Sequence, residues 1–84
     1  NIYENFIDVP ARSTIQEVEE IIGFELLNDD IDEEIDTIGG LVFLLAGRIP
    51  QRGELITHPK GFEIEIKEVD QRKIINVRFR LKVK

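Results

Sequence analysis

The chain has 84 residues, of which 42% are hydrophobic and 33% charged, with a formal net charge of −6 and no cysteine. This length makes one domain with a modest core, and the missing thiols exclude disulfides, zinc–thiolate centres and thiol nucleophiles. No signal peptide or transmembrane segment is recognisable, and a net negative domain is a poor binder of phosphate backbones, so nucleic acid is not an expected partner.

The charge is unevenly spread. Residues 1–42 carry twelve Asp/Glu against one Arg (Arg12), whereas residues 43–84 carry five Asp/Glu against ten Lys/Arg. The favoured reading is that the two halves fold against each other and partly neutralise. The basic residues alternate along strands and do not form a block of the kind that marks a nucleic-acid or membrane surface.

Residues 3–9, rich in aromatic and β-branched side chains, read as a short strand ended by Pro10-Ala11-Arg12. Ser13 and Gln16 match a capping box, with Ser13 as the cap. Ile15, Val18, Ile21 and Ile22 then fall on one helical face and Glu17, Glu19 and Glu20 on the other, with Gly23 as the stop. Residues 24–36 have no clean period. Asp29, Asp30, Asp32, Glu33, Glu34 and Asp36 crowd its end. Asp30, Asp32 and Glu34 alternate as in a calcium loop, but Ile35 stands where that loop needs glycine. The favoured reading is an acidic connection to a helix N-terminus, where negative charge is stabilised. Asp29, Asp30, Asp32 and Glu34 remain the candidates for a non-specific divalent-cation site.

Residues 36–50 are the most apolar run. Thr37 or Asp36 suits the cap, Gly47 the left-handed stop, and Pro50 forbids continuation. The apolar residues 41–46 predict a short helix covered on several sides, far below the roughly 20 residues a membrane span needs. Gly39 and Gly40 open this helix. They are candidates for presenting backbone N–H groups to an anion or cofactor, although no Lys-Ser/Thr follows as in a phosphate loop. The favoured role is close approach of the helix start to a neighbouring strand.

Residues 54–58 predict a strand and Pro59-Lys60-Gly61 a tight turn. Phe62, Ile64 and Ile66 alternate against Glu63, Glu65 and Lys67. After a turn at 70–72, Ile75, Val77, Phe79, Leu81 and Val83 alternate against Asn76, Arg78, Arg80 and Lys82, with Ile74 out of phase. This pattern predicts an antiparallel hairpin with one buried and one wet face.

His58 is the only histidine and lies where a strand meets a turn, so it is expected to be exposed. The hydroxyls are Tyr3, Ser13, Thr14, Thr37 and Thr57, with none in a nucleophile-elbow context. No set of nucleophile, base and orienting group is assembled, so no catalytic residue is expected.

The run 36–42, then Gly47-Arg48-Ile49-Pro50 and Gly53-Glu54, with the alternation at 62–69 and 75–81, resembles the transporter-associated domain of the CorC/HlyC family. The resemblance covers essentially the whole chain. It departs from the family at Ala11, where glycine is common, and in the density of the acidic segment. It implies a single α+β domain over residues 1–84, cut from the C-terminus of a longer membrane protein. The expected form is a small two-layer domain, mainly antiparallel sheet, with a long C-terminal hairpin packed on two short helices, like half of a PCMH-type FAD-binding fold. It also implies a pair of CBS domains and a membrane domain as partners in the same parent chain, on the cytoplasmic face of the cell membrane, with the fragment itself soluble and a homodimer as a further option. The expected function is non-catalytic modulation of divalent-cation (Mg/Co) efflux or of a hemolysin-like protein, through domain–domain contacts that include pairing of the hairpin's outer strand. No cofactor is expected. The alternative is a sensor that binds a divalent cation such as Mg²⁺, a nucleotide or FAD.

Overall fold

The computed structural model describes residues 3–27 and 35–82. Strand β1 (Tyr3–Pro10) leads through a turn to helix α1 (Ile15–Ile22). Helix α2 (Ile38–Ala46) follows, then strands β2 (Leu55–Thr57), β3 (Glu63–Val69) and β4 (Ile74–Lys82). The four strands form one antiparallel sheet in the order β1-β4-β3-β2. With the two helices, this is the small α+β architecture that the family resemblance implied, and it contains the antiparallel hairpin that the alternation predicted.

The order corrects one expectation. The β3–β4 hairpin is the centre of the sheet and not its margin, since β1 pairs with β4 and β2 with β3. Neither hairpin strand is therefore an edge strand of the described sheet, although β2 pairs with only the first part of β3. Burial explains the choice: a strand with Val77 and Phe79 fully buried and apolar neighbours on both sides loses least exposed backbone at the middle of a sheet.

Val9, Ile56, Ile64, Ile66, Val77 and Phe79 of the strands join Ile15, Val18, Ile38, Leu41 and Val42 of the helices in one buried cluster. The phase at the hairpin's turn end differs from the simple alternation. Register shifts between Ile66 and Glu68 and between Glu68 and Val69 pair Val69 with Ile74, so Ile74 is buried and Ile75 only half-buried. Val83 lies outside the described residues.

Both helix caps are visible in the sequence, but one sits a residue later than the capping-box pattern suggests. Thr14, not Ser13, caps α1. Its hydroxyl accepts the Glu17 amide at 3.1 Å, and the Glu17 carboxylate accepts the Thr14 amide at 3.0 Å. The Thr14/Glu17 pair outcompetes Ser13/Gln16 because a carboxylate is the stronger acceptor and its charge suits a helix N-terminus. The Ser13 carbonyl is also needed elsewhere, where it accepts the Ile38 amide at 2.9 Å. Thr37 caps α2, and Gly23 and Gly47 close α1 and α2 in the left-handed conformation.

Helix α2 is less enclosed than an all-round apolar sequence implies. Ile38, Leu41 and Val42 are fully buried, but Phe43 is 48% and Leu44 45% exposed. A nine-residue helix laid on a four-stranded sheet has one face against the core. Here the other face keeps its apolar side chains at the surface.

Candidate functional site

The two helix starts are stitched to each other and to the β1–α1 turn. Thr14 and Thr37 form an isolated antiparallel bridge, in which Ile15 N donates to Asp36 O at 2.9 Å and Ile38 N to Ser13 O at 2.9 Å. Gly39 N donates to Ala11 O at 2.8 Å, Gly40 N to the Thr37 hydroxyl at 3.2 Å and Leu41 N to Thr37 O at 3.0 Å. The amides that an α-helix leaves unpaired at its start are thus engaged within the protein. A Cβ built on Gly39 would lie 3.2 Å from the Ala11 Cβ and 3.3 Å from its carbonyl oxygen. Gly39 is therefore the residue that allows the helix start to approach the end of β1.

Beside this junction lies a cleft of about 520 Å³. Gly39, Gly40 and Thr37 form one wall, Arg12 stands at the β1–α1 turn, and Arg72 and Lys73 come from the β3–β4 turn. Arg12 comes to line one cleft with Arg72 and Lys73 because Pro10 pairs with Asn76 and Ala11 N donates to Ile75 O at 2.8 Å, which brings the end of β1 beside the start of β4. Among the described residues, no Asp or Glu lines the cleft. Among the described residues, the ion pairs within 4.0 Å are Arg48–Glu54, Lys67–Glu65, Arg78–Asp8 and Arg80–Glu63, and none involves Arg12, Arg72 or Lys73. Asp70, the nearest acid in the turn, accepts the Arg72 and Lys73 amides at 2.8 and 2.9 Å. These bonds lower its pKa, with a smaller contribution from the Lys73 charge.

This convergence is missed when the basic residues are read as alternating along strands. Alternation describes Arg78 and Arg80, but Arg12, Arg72 and Lys73 lie in turns or at a strand's threshold. The signal available was Arg12 itself, the one cation among the first 42 residues, placed directly after the strand that pairs with the hairpin.

His58 is a second correction, because it is 1% exposed. Its Nε2 donates to Leu26 O at 2.8 Å and its Nδ1 accepts from Lys60 N at 3.0 Å, which sets the neutral Nε2–H tautomer. The ring stacks on Phe62, with centroids 4.5 Å apart. The reason is local: Ile56 and His58 are two apart on β2 and its extension, so both point to the core. Burial lowers the His58 pKa. The Leu26 bond acts against this and the Lys60 charge acts with it.

Of the acidic candidates, Asp29, Asp30, Asp32 and Glu34 lie outside the described residues. Among the described residues, no three His, Asp or Glu side chains group as metal ligands, and no helix is long and apolar enough to cross a membrane.

With this geometry in view, comparison with known proteins gives a consistent result. The family model CorC_HlyC, "Transporter associated domain", matches residues 1–83. A protein of Rickettsia bellii described as a possible hemolysin C is 43% identical over 72 residues, covering 86% of this chain and 24% of that protein. The chain thus spans about a quarter of the length of such relatives. Among solved structures, a region from Neisseria meningitidis described as associated with a Mg²⁺ and Co²⁺ transporter, CorC, superposes with a TM-score of 0.78 at 28% identity, covering 99% of each chain. The transporter-associated domain of a CBS domain protein from Porphyromonas gingivalis gives 0.73 at 17% identity, covering 93% of this chain and 90% of that one. The chain belongs to the CorC_HlyC transporter-associated domain family.

Proposed function

We propose that this transporter-associated domain is a non-catalytic accessory module of a CorC- or hemolysin-like membrane protein, modulating divalent-cation efflux through contacts with the rest of its own parent chain. The observation that carries the contact role is the outer face of α2, where Phe43 and Leu44 are about half exposed within the helix that bears the family signature. Two large adjacent apolar side chains at the surface of an 84-residue domain fit a face that another domain covers. The family match supports the setting, and the Neisseria relative's association with a Mg²⁺ and Co²⁺ transporter supports the cargo class. A pair of CBS domains on the cytoplasmic side of the membrane is the proposed neighbour.

Catalysis has little support in the site chemistry. The one histidine is buried with both nitrogens occupied, and the two cap hydroxyls hold helix amides. The test is deletion of residues 1–84 from the full-length parent, with Mg²⁺ and Co²⁺ efflux measured in cells. Altered efflux or altered response to cytoplasmic ion level is expected. Transport and regulation identical to those of the unaltered protein would overturn the proposal.

A further inference from the structure

We infer that the cleft between the β1–α1 and β3–β4 turns is a binding site for a small phosphate ester. This goes beyond the contact role proposed above and does not depend on it, because the cleft and the exposed face of α2 involve different side chains. The first argument is charge. The chain carries a net −6, yet the described residues of the lining include Arg12, Arg72 and Lys73 and no carboxylate. Among the described residues, Asp70 accepts two turn amides and Glu68 accepts the Asn76 side chain at 2.8 Å. Three cations lining one concave site make a positive field that the cleft focuses, offset in part at Lys73 by the Asp70 charge.

The second argument is donor geometry. Two guanidinium groups offer the planar forks that match phosphate oxygens, and an ammonium adds a point charge. The Thr37 hydroxyl accepts the Gly40 amide and keeps its own hydrogen to donate. Because the α2 amides are already bonded within the protein, the side chains and not the helix end would hold the anion. The third is shape. About 520 Å³ lies within the range of small-molecule sites, roughly 300–1,000 Å³. Ile49, Ile74 and Ile75 add an apolar surface for the organic part of an ester. A concave site of this kind suits a soluble ligand and not a flat bilayer.

The test titrates the ¹⁵N-labelled 84-residue chain with adenosine monophosphate, inorganic phosphate and adenosine at fixed ionic strength. Saturable shifts at residues 10–12, 37–40 and 72–76 are expected with the monophosphate, weaker ones with phosphate and none with adenosine. The exposed double variant Arg72→Gln/Lys73→Gln should bind at least about tenfold more weakly, because charge-assisted contacts are lost. Arg12→Gln should weaken binding in the same direction. The charge-matched variant Arg52→Gln/Lys60→Gln, away from the cleft, should bind as the parent does. Any of three results overturns the inference: no saturable response to either phosphate probe, shifts centred elsewhere, or equal loss in both double variants. Binding only to anionic lipid vesicles overturns it as well.

Discussion

His58 joins two segments that no backbone ladder connects, the connection after α1 and the turn after β2. Replacing it with alanine removes the partners of the buried Leu26 carbonyl and of the part-buried Lys60 amide. Because an orphaned polar group costs about 1–3 kcal/mol, His58→Ala should lower stability by about 2–3 kcal/mol in urea denaturation. The pH dependence has a definite sign. Burial places the folded pKa below the ordinary 6.5, so the unfolded chain takes up the proton first. The contribution is complete above about pH 6.5 and is lost as pH falls from there through the folded value. Thermal melts between pH 7.5 and 5 should show this decline, and His58→Gln should flatten it. Asp8, Glu54 and Asp70 also have lowered pKa values, through the Arg78 side chain, the Arg48 side chain and the Arg72 and Lys73 amides respectively. Their losses begin below their ordinary values of 3.8 and 4.5, outside this window. The two helix-opening glycines separate in the same way. Ala11 is pinned between Ile75 and Gly39 by hydrogen bonds, so Gly39→Ala has no room to relax. It should cost about 1 kcal/mol net, since overpacking of about 1–3 kcal/mol exceeds the roughly 1 kcal/mol gain in helix propensity. Gly40→Ala meets only ordinary contacts at 3.4 and 3.5 Å and should be neutral or stabilising by up to about 1 kcal/mol in the same assay.

At the scale of elements, the capping of α1 can be tested directly. Thr14→Ala breaks the reciprocal pair with Glu17 and should cost about 1 kcal/mol by chemical denaturation, whereas Ser13→Ala, whose contribution is through its backbone carbonyl, should stay within about 0.5 kcal/mol. An equal effect at both positions would contradict the cap assignment. The exit from α2 is also held locally. Arg48 grips Glu54 through both guanidinium ends, Glu54 accepts the Gln51 amide, and Gly53 N and Glu54 O bond to Ile66. This accounts for the Gly-Arg-Ile-Pro pattern and the following Gly-Glu as architecture. The helices, their stops and the hairpin are legible from the sequence because each depends on neighbours three or four residues away, or two in a strand. The exposed flank of α2 is not legible in that way. Phe43 and Leu44 look like core side chains, and only the position of the sheet decides which face is covered. The buried His58 is hidden for a related reason, since its partner Leu26 lies 32 residues away.

For the whole molecule, the sheet order decides where chemistry can gather. Pairing β1 with β4 brings Arg12, the exception in the acidic half, to the cleft that Arg72 and Lys73 also line. The Asp8–Arg78 pair, 2.6 Å apart, ties the same two strands at the register Asp8↔Arg78. The cleft was therefore legible only in its glycines and in the isolated Arg12, because the charges that line it come together through long-range pairing and not through spacing. The family match assigns the domain but leaves its partner surface to be argued from exposure, and the proposal rests on the exposed Phe43 and Leu44 of α2. The central claim, that this face of α2 contacts the parent chain, is tested most directly by Phe43→Ser/Leu44→Ser in the full-length protein, with divalent-cation efflux measured beside the deletion of residues 1–84. The account predicts that the double variant reproduces the efflux change of the deletion while the 84-residue chain carrying it melts within a few degrees of the unaltered one. Efflux equal to that of the unaltered protein, with the deletion still effective, would contradict it.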